Sequence, residues 1–211
     1  MLRTLIITGG IATGKSTFCR SVKSLGEGEG VSFFDADRRV HELLTKADVT
    51  RTIGEEFGSA VIGADGAISR PALRDAVFAR SPAEIPRARK RLEAILHPLV
   101  RDDYRSAIEA AKGNHPGGLF IADIPLYFES ETGAYCSDHV CVVACSPEVQ
   151  RKRVLARGRE RGVSESESLE FIAAQRPIME KVKEADYVVW NDGDHSVLKA
   201  QAEYFAGLFP N

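Results

Sequence analysis

The sequence predicts an α/β fold built on a doubly wound, five-stranded parallel sheet, with a helical insertion and a lid. Short, nearly continuous apolar runs recur along the 211 residues, as expected for strands that are buried on both faces. Longer stretches with helical periodicity separate these runs, as in alternating strand–helix units. The predicted strands are Leu5–Thr8, Val31–Phe34, Leu119–Ile124, His139–Ala144 and Tyr187–Trp190.

The first predicted strand runs directly into Gly9–Thr17, which has the pattern G-x-x-x-x-G-K-[ST] of a phosphate-binding loop, or P-loop. We expect Gly9 and Gly14 to adopt positive φ, so that successive N–H groups point into one concavity. A helix beginning near Lys15 adds the positive end of its dipole. Lys15 is expected to reach the β- and γ-phosphates, and Ser16 to ligate magnesium. The chain is therefore predicted to bind a nucleoside triphosphate; the alternative is a glycine-rich turn before an ordinary helix.

Composition indicates a single globular domain. Hydrophobic residues make up 44% of the chain and charged residues 27%, and the net charge of −2 gives no reason to expect a nucleic-acid or membrane partner. The four cysteines form no C-x-x-C pair, and Cys141 and Cys145 lie on one face of an apolar strand, which predicts buried free thiols. With no bilayer-length run or signal peptide, these features predict a cytoplasmic protein.

Two excursions interrupt the alternation of strands and helices. The gap after the second strand is too long for one crossover helix and contains three helix-like stretches, Arg70–Arg80, Arg87–Arg91 and Leu92–Ala111, the last interrupted by Pro98. We interpret about residues 61–116 as a helical insertion. The segment of about residues 148–175 is charged and poorly apolar, a composition typical of a mobile lid. The remaining core of this single domain comprises residues 1–60, 117–147 and 176–211.

Carboxylates follow the second and third predicted strands. In an open α/β sheet ligands bind at the carboxyl ends of strands, which places Asp35, Asp37 and Asp123 at the nucleotide site. A kinase needs a carboxylate to accept the proton of the attacking hydroxyl. Asp37 fits that role, and it fits equally well as the N-cap of a helix from Arg38. Asp123 has the position of the acid that holds the magnesium shell.

Three polar side chains on the predicted lid share one helix face. Gln150, Arg153 and Arg157 are three and then four residues apart. Guanidinium groups suit the spread charge of a transferring phosphoryl group. A solvated face paired with Glu148 and Glu160 is the alternative, and the position of the arginines after a P-loop favours the phosphoryl interpretation.

His97–Pro98 interrupts a helical pattern, because proline disfavours a helical conformation in the residue before it. A kink that carries a functional imidazole and a simple helix boundary are both open. The basic run Arg87–Arg91 is interpreted as a solvated helix face or as a helper for an anionic substrate.

Six motifs follow one another along nearly the whole chain: TGGIATGKST (Thr8–Thr17), FDADRRVHEL (Phe34–Leu43), LEAILHPLV (Leu92–Val100), ADIPLYFE (Ala122–Glu129), SPEVQRKRVLAR (Ser146–Arg157) and ADYVVWNDG (Ala185–Gly193). In this order they resemble the dephospho-CoA kinase family, which phosphorylates the ribose 3′-hydroxyl of dephospho-CoA to give coenzyme A. The resemblance implies an ATP- and Mg²⁺-dependent kinase with a nucleotide-binding core, a helical CoA domain and a lid. Its partners would be the small molecules ATP and dephospho-CoA.

The resemblance also implies roles for individual residues. Asp37 would be the general base, with Asp35 supporting it or the metal, and His97 would belong to the acceptor site together with Asp37. The catalytic residues would be Lys15, Asp37 and Arg153. The ATP-binding residues would be Gly9, Ile11, Ala12, Thr13, Gly14, Lys15, Ser16, Thr17, Arg157 and, near the adenine, Asn191. The metal ligands would be Ser16, Asp35 and Asp123.

Two of the motifs depart from the family pattern. The loop has I-A-T-G where the family commonly has I-G-S-G, and the missing glycine restricts the backbone at Ala12. Tyr127 replaces a commonly aliphatic residue. Neither change removes a group that the chemistry needs.

Two other functions compete with this interpretation. Another small-molecule or nucleoside-monophosphate kinase would share the P-loop and lid, but would not explain L-E-x-x-x-H-P followed by D-I-P-L-x-F-E. A nucleotide-dependent switch of the GTPase class would need D-x-x-G and N-K-x-D, and neither pattern occurs in the sequence. The oligomeric state is left open.

Overall fold

The computed structural model describes residues 1–26, 30–78, 84–130 and 134–209, and these fall into two compact units. One unit comprises Met1–Asp35 with Ala107–Asn211, and the other comprises Ala36–Ser106. The second unit thus begins directly after the second strand, earlier than the insertion that we expected from about residue 61.

The first unit contains the parallel sheet. Its strands are β1 (Arg3–Gly9), β2 (Val31–Asp35), β3 (Leu119–Asp123), β4 (His139–Ala144) and β5 (Tyr187–Trp190). They are ordered β2-β3-β1-β4-β5, and every neighbouring pair is parallel. The central strands β1, β3 and β4 are buried along most of their length, which is why they appear in the sequence as continuous apolar runs. The predicted fold class and its five strands are confirmed.

Helices connect the strands and form the second unit. They are α1 (Lys15–Gly26), α2 (Ala36–Leu43), α3 (Ala47–Phe57), α4 (Arg70–Phe78), α5 (Ile85–Asn114), α6 (Pro147–Glu160), α7 (Glu165–Ala173), α8 (Ile178–Lys183) and α9 (His195–Gly207). Short 3₁₀ turns lie at Ser59–Val61 and Tyr127–Glu129. No helix within the described ranges is long and apolar enough to cross a membrane.

The sheet has helices on both faces, as a doubly wound fold requires. On one face, Phe18 of α1 and Phe205 of α9 meet edge to face with ring centroids 5.4 Å apart, in a core that includes Cys141 and Val143 of β4. On the other face, Ile178 of α8 packs against the alternate β4 residues, Val142 and Ala144. Alternation along one strand therefore supplies both cores.

In the second unit, α5 differs from expectation. The helix continues through His97 and Pro98, so the helix boundary that we considered at this dipeptide is wrong. Both residues are exposed. Pro98 lacks the N–H that would bond to the carbonyl of Ala94, but one missing bond in a helix this long does not end it. The predicted Arg70–Arg80 helix ends at Phe78 within the described residues, and Arg80 lies outside them.

The predicted lid folds as the helices α6 and α7. A capping box begins α7: the backbone N–H of Glu167 donates to the Ser164 hydroxyl, and the backbone N–H of Ser164 donates to the Glu167 carboxylate. The helices pack closely, since a Cβ at Gly158 would lie 2.1 Å from the Ser168 hydroxyl oxygen. The movement of this segment as a lid stays a prediction.

Candidate functional site

The P-loop connects β1 to α1, so the predicted strand–loop–helix is present. Gly14 has a φ of 97°, and a Cβ there would lie 2.1 Å from Asn191 Nδ2. Gly9 does not have a positive φ, and our expectation for it is wrong. Glycine is needed at position 9 because a Cβ would lie 2.5 Å from the carbonyl oxygen of Val143 in β4.

A tight turn within the loop contains a strained residue. The hydroxyl and the N–H of Thr13 both donate to the carbonyl of Gly10, at 2.9 and 3.4 Å. Ala12 lies within this turn, between Gly10 and Thr13, and has a φ of 59°. No other non-glycine residue in the described part of the chain has this left-handed conformation. Such a conformation costs a residue with a Cβ about 1 kcal/mol or more. The restriction that the sequence indicated at Ala12 is therefore a real one.

Lys15 is the first residue of α1, and its ammonium group is bonded to the Asp123 carboxylate. Asp123 ends β3 and is the register partner of Asp35 at the end of β2. Because paired strands lie about 4.8 Å apart, the two carboxylates stand side by side at the carboxyl edge of the sheet. The structure thus places Lys15 in contact with Asp123 and Asp35 beside Asp123, and the roles of the three residues in binding ATP and metal stay predictions.

These residues fit a Mg²⁺ ion that arrives with a nucleotide. Mg²⁺ is usually held by one or two carboxylates together with phosphate oxygens and water. Asp35, Asp123 and the exposed hydroxyl of Ser16 offer oxygen ligands of this kind. In the described ranges no group of three or more His, Cys, Asp or Glu side chains could hold a metal ion.

Cys19 lies one turn of α1 after Lys15. Burial, and then the charge of the Asp123 carboxylate, raise the pKa of its thiol well above the usual value. The thiol therefore stays protonated near neutral pH and bonds to Asp123. Cys141 and Cys145 are buried free thiols as predicted, whereas Cys136 is exposed.

Asn191 follows β5 and is almost completely buried. Its side-chain amide donates to the carbonyl of Thr13 at 2.8 Å, so it supports the P-loop backbone. Its own carbonyl accepts a hydrogen bond of 2.9 Å from Arg153 of α6. Arg157, one turn further along α6, is exposed. The contacts with ATP that we predicted for Asn191, Arg153 and Arg157 stay predictions.

Asp37 and His97 belong to the second unit. Asp37 lies inside the first turn of α2, which begins at Ala36, so the N-cap alternative for Asp37 is wrong. His97 lies within α5, and both side chains are exposed. The roles of Asp37 as general base and of His97 in binding the phosphoryl acceptor stay predictions.

A buried ion pair at the P-loop was missed in the sequence. Lys181 of α8 is fully buried, donates to the carbonyl of Gly9 at 3.2 Å, and lies 2.6 Å from the Glu129 carboxylate. Glu129 also accepts a bond of 3.0 Å from the backbone N–H of Arg176. One signal was available, since Lys181 is three residues after the apolar Ile178 and so shares its buried helix face.

Comparison with known proteins gives one consistent result. Residues 3–196 match the sequence model of a family described as CoaE, dephospho-CoA kinase. The chain is 35% identical over 198 residues to the dephospho-CoA kinase of Methylococcus capsulatus, covering 93% of this chain and 91% of that one. It is 39% identical over 209 residues to that of Anaeromyxobacter dehalogenans, with coverages of 96% and 90%.

Two solved structures have similar folds. The protein TT1252 of Thermus thermophilus superposes with a TM-score of 0.69 at 30% identity, covering 98% of this chain and 97% of that one. Dephospho-CoA kinase from Campylobacter jejuni superposes with a TM-score of 0.70 at 23% identity, with coverages of 98% and 96%.

Proposed function

Because this chain belongs to the dephospho-CoA kinase family of ATP-dependent kinases, we propose that it phosphorylates the ribose 3′-hydroxyl of dephospho-CoA, giving coenzyme A and ADP. The observation that carries the proposal is the Lys15–Asp123 pair at the mouth of a formed P-loop. A cation and a carboxylate there suit a triphosphate and its metal ion.

The reaction depends mainly on positioning and charge. The loop amides and the dipole of α1 bind the phosphates, and Lys15 neutralises charge on the transferring phosphoryl group. When bound, Mg²⁺ would add further charge neutralisation, with Ser16, Asp35 and Asp123 as its protein ligands. Arg153 would stabilise the charge of the transferring phosphoryl group, and Arg157 would help to bind ATP.

The acceptor side rests on the family resemblance. Asp37 would take the proton from the ribose hydroxyl, and His97 would help to bind dephospho-CoA. Closure of α6 and α7 would exclude water and so limit ATP hydrolysis. The proposed partners are small molecules alone, without nucleic acid or membrane, and the proposed location is the cytoplasm.

The test is ADP release from ATP and Mg²⁺ with dephospho-CoA, compared with adenosine and AMP. We expect turnover with dephospho-CoA, a product heavier by one phosphate, and a phosphorus NMR signal at the ribose 3′ position. Phosphorylation of AMP in preference to dephospho-CoA would favour a nucleoside-monophosphate kinase instead.

A matched pair of variants tests the base. Asp37→Asn keeps the shape of the side chain but cannot accept the proton, so we expect kcat to fall by about 100-fold or more. Asp48→Asn changes another carboxylate in the first turn of a helix of the second unit and should leave kcat unchanged. Near-normal turnover of Asp37→Asn with intact ATP binding would contradict the assignment.

A further inference from the structure

Two glutamine side chains hold opposite sides of one P-loop residue. The side-chain amide of Gln150 donates to the carbonyl of Ile11 at 2.9 Å, and the N–H of Ile11 donates to the Gln175 side-chain oxygen at 2.8 Å. Gln150 lies in the first turn of α6 and is 5% exposed, whereas Gln175 follows α7 and is half-buried. Both ends of the α6–α7 segment therefore reach Ile11.

The approach of Gln150 depends on a glycine. A Cβ at Gly10 would lie 2.7 Å from the Gln150 side-chain nitrogen, closer than such atoms approach. The absence of a side chain at position 10 thus leaves room for the amide to reach the carbonyl of Ile11. The loop and α6 are fitted to each other at this point.

These bonds act next to the strained residue. The carbonyl of Ile11 belongs to the peptide plane that precedes Ala12, and the N–H of Ile11 belongs to the plane before that. The plane that follows Ala12 carries the N–H of Thr13, which donates to the carbonyl of Gly10, and that carbonyl shares a plane with the N–H of Ile11. Gln150 thus holds the plane before Ala12, and Gln175 holds the acceptor that fixes the plane after it, which leaves little freedom to rotate away from the positive φ of Ala12. A non-glycine residue keeps such a conformation only where its surroundings over-determine it.

We propose that Gln150 and Gln175 are positioning residues that hold Ala12 in its left-handed conformation, and so keep the loop amides aimed at the phosphates of ATP. The inference rests on the proposed function of the loop as an ATP site. Neither glutamine is a catalytic residue in this scheme, because each acts through the backbone of Ile11.

The polarity of the two bonds provides a sharp test. Gln150 uses its nitrogen as a donor, whereas Gln175 uses its oxygen as an acceptor. Glutamate at position 175 keeps an acceptor for the N–H of Ile11. Glutamate at position 150 would set one acceptor against another. Both changes add the same charge beside the same residue, and the deeper burial of position 150 adds a desolvation cost to the effect of the mismatched bond.

The experiment measures the Kd of MgATP by titration calorimetry, which needs no acceptor. We expect Gln150→Ala and Gln175→Ala to raise the Kd about tenfold, the equivalent of one hydrogen bond of ordinary strength. Gln150→Glu should bind MgATP about tenfold more weakly than Gln175→Glu. Gln201→Ala is the matched control, because Gln201 also bonds to a backbone carbonyl, that of Trp190, rather than to a residue of the loop.

A change at the strained residue itself completes the test. Ala12→Gly removes the penalty of positive φ, so the loop should need the glutamines less. In the Ala12→Gly background we expect Gln175→Ala to raise the Kd only about twofold. The KM for dephospho-CoA should stay unchanged in these variants.

Three results would overturn the proposal: equal effects of Gln175→Ala with alanine or glycine at position 12, equal Kd values for the two glutamate variants, or a wild-type protein that does not bind MgATP. If Gln150→Ala does not fold, the half-buried Gln175 variants still decide. A wild-type protein that binds MgATP but does not phosphorylate dephospho-CoA would defeat only the proposed reaction.

Discussion

The Asp123 carboxylate and the phosphates of a nucleotide are expected to share the ammonium group of Lys15, which is bonded to Asp123 in the structure. Lys15→Met removes the charge that would neutralise the transferring phosphoryl group. We expect kcat/KM to fall by about 100-fold or more, as measured by ADP release. Lys23→Met, at an exposed position of the same helix, is the control and should retain full activity. A loss below tenfold for Lys15→Met would argue against its contact with the phosphates.

The buried thiol of Cys141 is expected to make the free energy of unfolding fall as the pH rises above about 9. Burial raises the pKa of its thiol from 9.0 to about 12. The thiol of the unfolded chain ionises near pH 9 while that of the folded protein stays neutral, so folding loses stability as the pH rises from about 9 to about 12. The loss approaches about 1.4 kcal/mol per pH unit.

Urea denaturation at pH 8.5, 9.5 and 10.5 checks this expectation. Cys141→Ala should be less stable at pH 8.5 because it leaves a cavity, but its free energy of unfolding should fall less steeply with pH than that of the wild type. Parallel pH dependences of the two proteins would contradict the role of this thiol.

At the scale of elements, α5 carries a local cost at Pro98. Restoring the missing N–H and removing the ring clash is worth about 3 kcal/mol, and the greater freedom of the unfolded chain offsets about 1 kcal/mol. Pro98→Ala should therefore raise the free energy of unfolding by about 2 kcal/mol, measured by urea denaturation. His97→Ala at the adjacent exposed position should change it by less than about 0.5 kcal/mol. An unchanged or lower stability of Pro98→Ala would show that α5 requires the proline.

The link between α8 and the 3₁₀ turn at Tyr127–Glu129 is also testable. Lys181→Met removes the fully buried partner of the Glu129 carboxylate, whose side chain is 20% exposed, so we expect a destabilisation of about 2 kcal/mol in thermal or urea denaturation. The double variant Lys181→Met/Glu129→Gln should recover part of this loss, because it removes both charges.

The control for this pair is an exposed one. Arg159→Met breaks the surface pair with Glu165 and should cost less than about 1 kcal/mol. Equal effects of Lys181→Met and Arg159→Met would mean that burial does not strengthen the first interaction.

Features that are encoded in a continuous stretch of the chain could be predicted from the sequence. The buried strands and the P-loop are continuous patterns, so Lys15 and Asp123 could be placed before the structure was known. The contacts of Gln175 and Lys181 with the loop could not, because the backbone atoms that they bond lie more than 160 residues earlier in the chain. The course of α5 through Pro98 also escaped prediction, since the rest of the long helix outweighs one local rule.

At the scale of the whole molecule, we expect the two compact units to bind different substrates. We expect MgATP to slow hydrogen exchange in residues 9–17 of the first unit. Dephospho-CoA should slow exchange around His97 in the second unit, because we assign the acceptor site to that unit. Hydrogen–deuterium exchange read by mass spectrometry distinguishes these peptides. Protection by dephospho-CoA confined to the first unit would contradict the assignment.

During translation, the P-loop is synthesised long before the side chains that hold its backbone in place. The loop precedes its side-chain partners by 139 residues for Gln150, 164 for Gln175, 172 for Lys181 and 178 for Asn191. At about 5–20 residues per second, a ribosome takes roughly 10 to 35 s to supply the last of them. A nascent chain therefore carries the phosphate-binding sequence long before it has the phosphate-binding shape. Binding of ATP can therefore stabilise the fold only after Asn191 has been synthesised, and it cannot stabilise earlier folding steps.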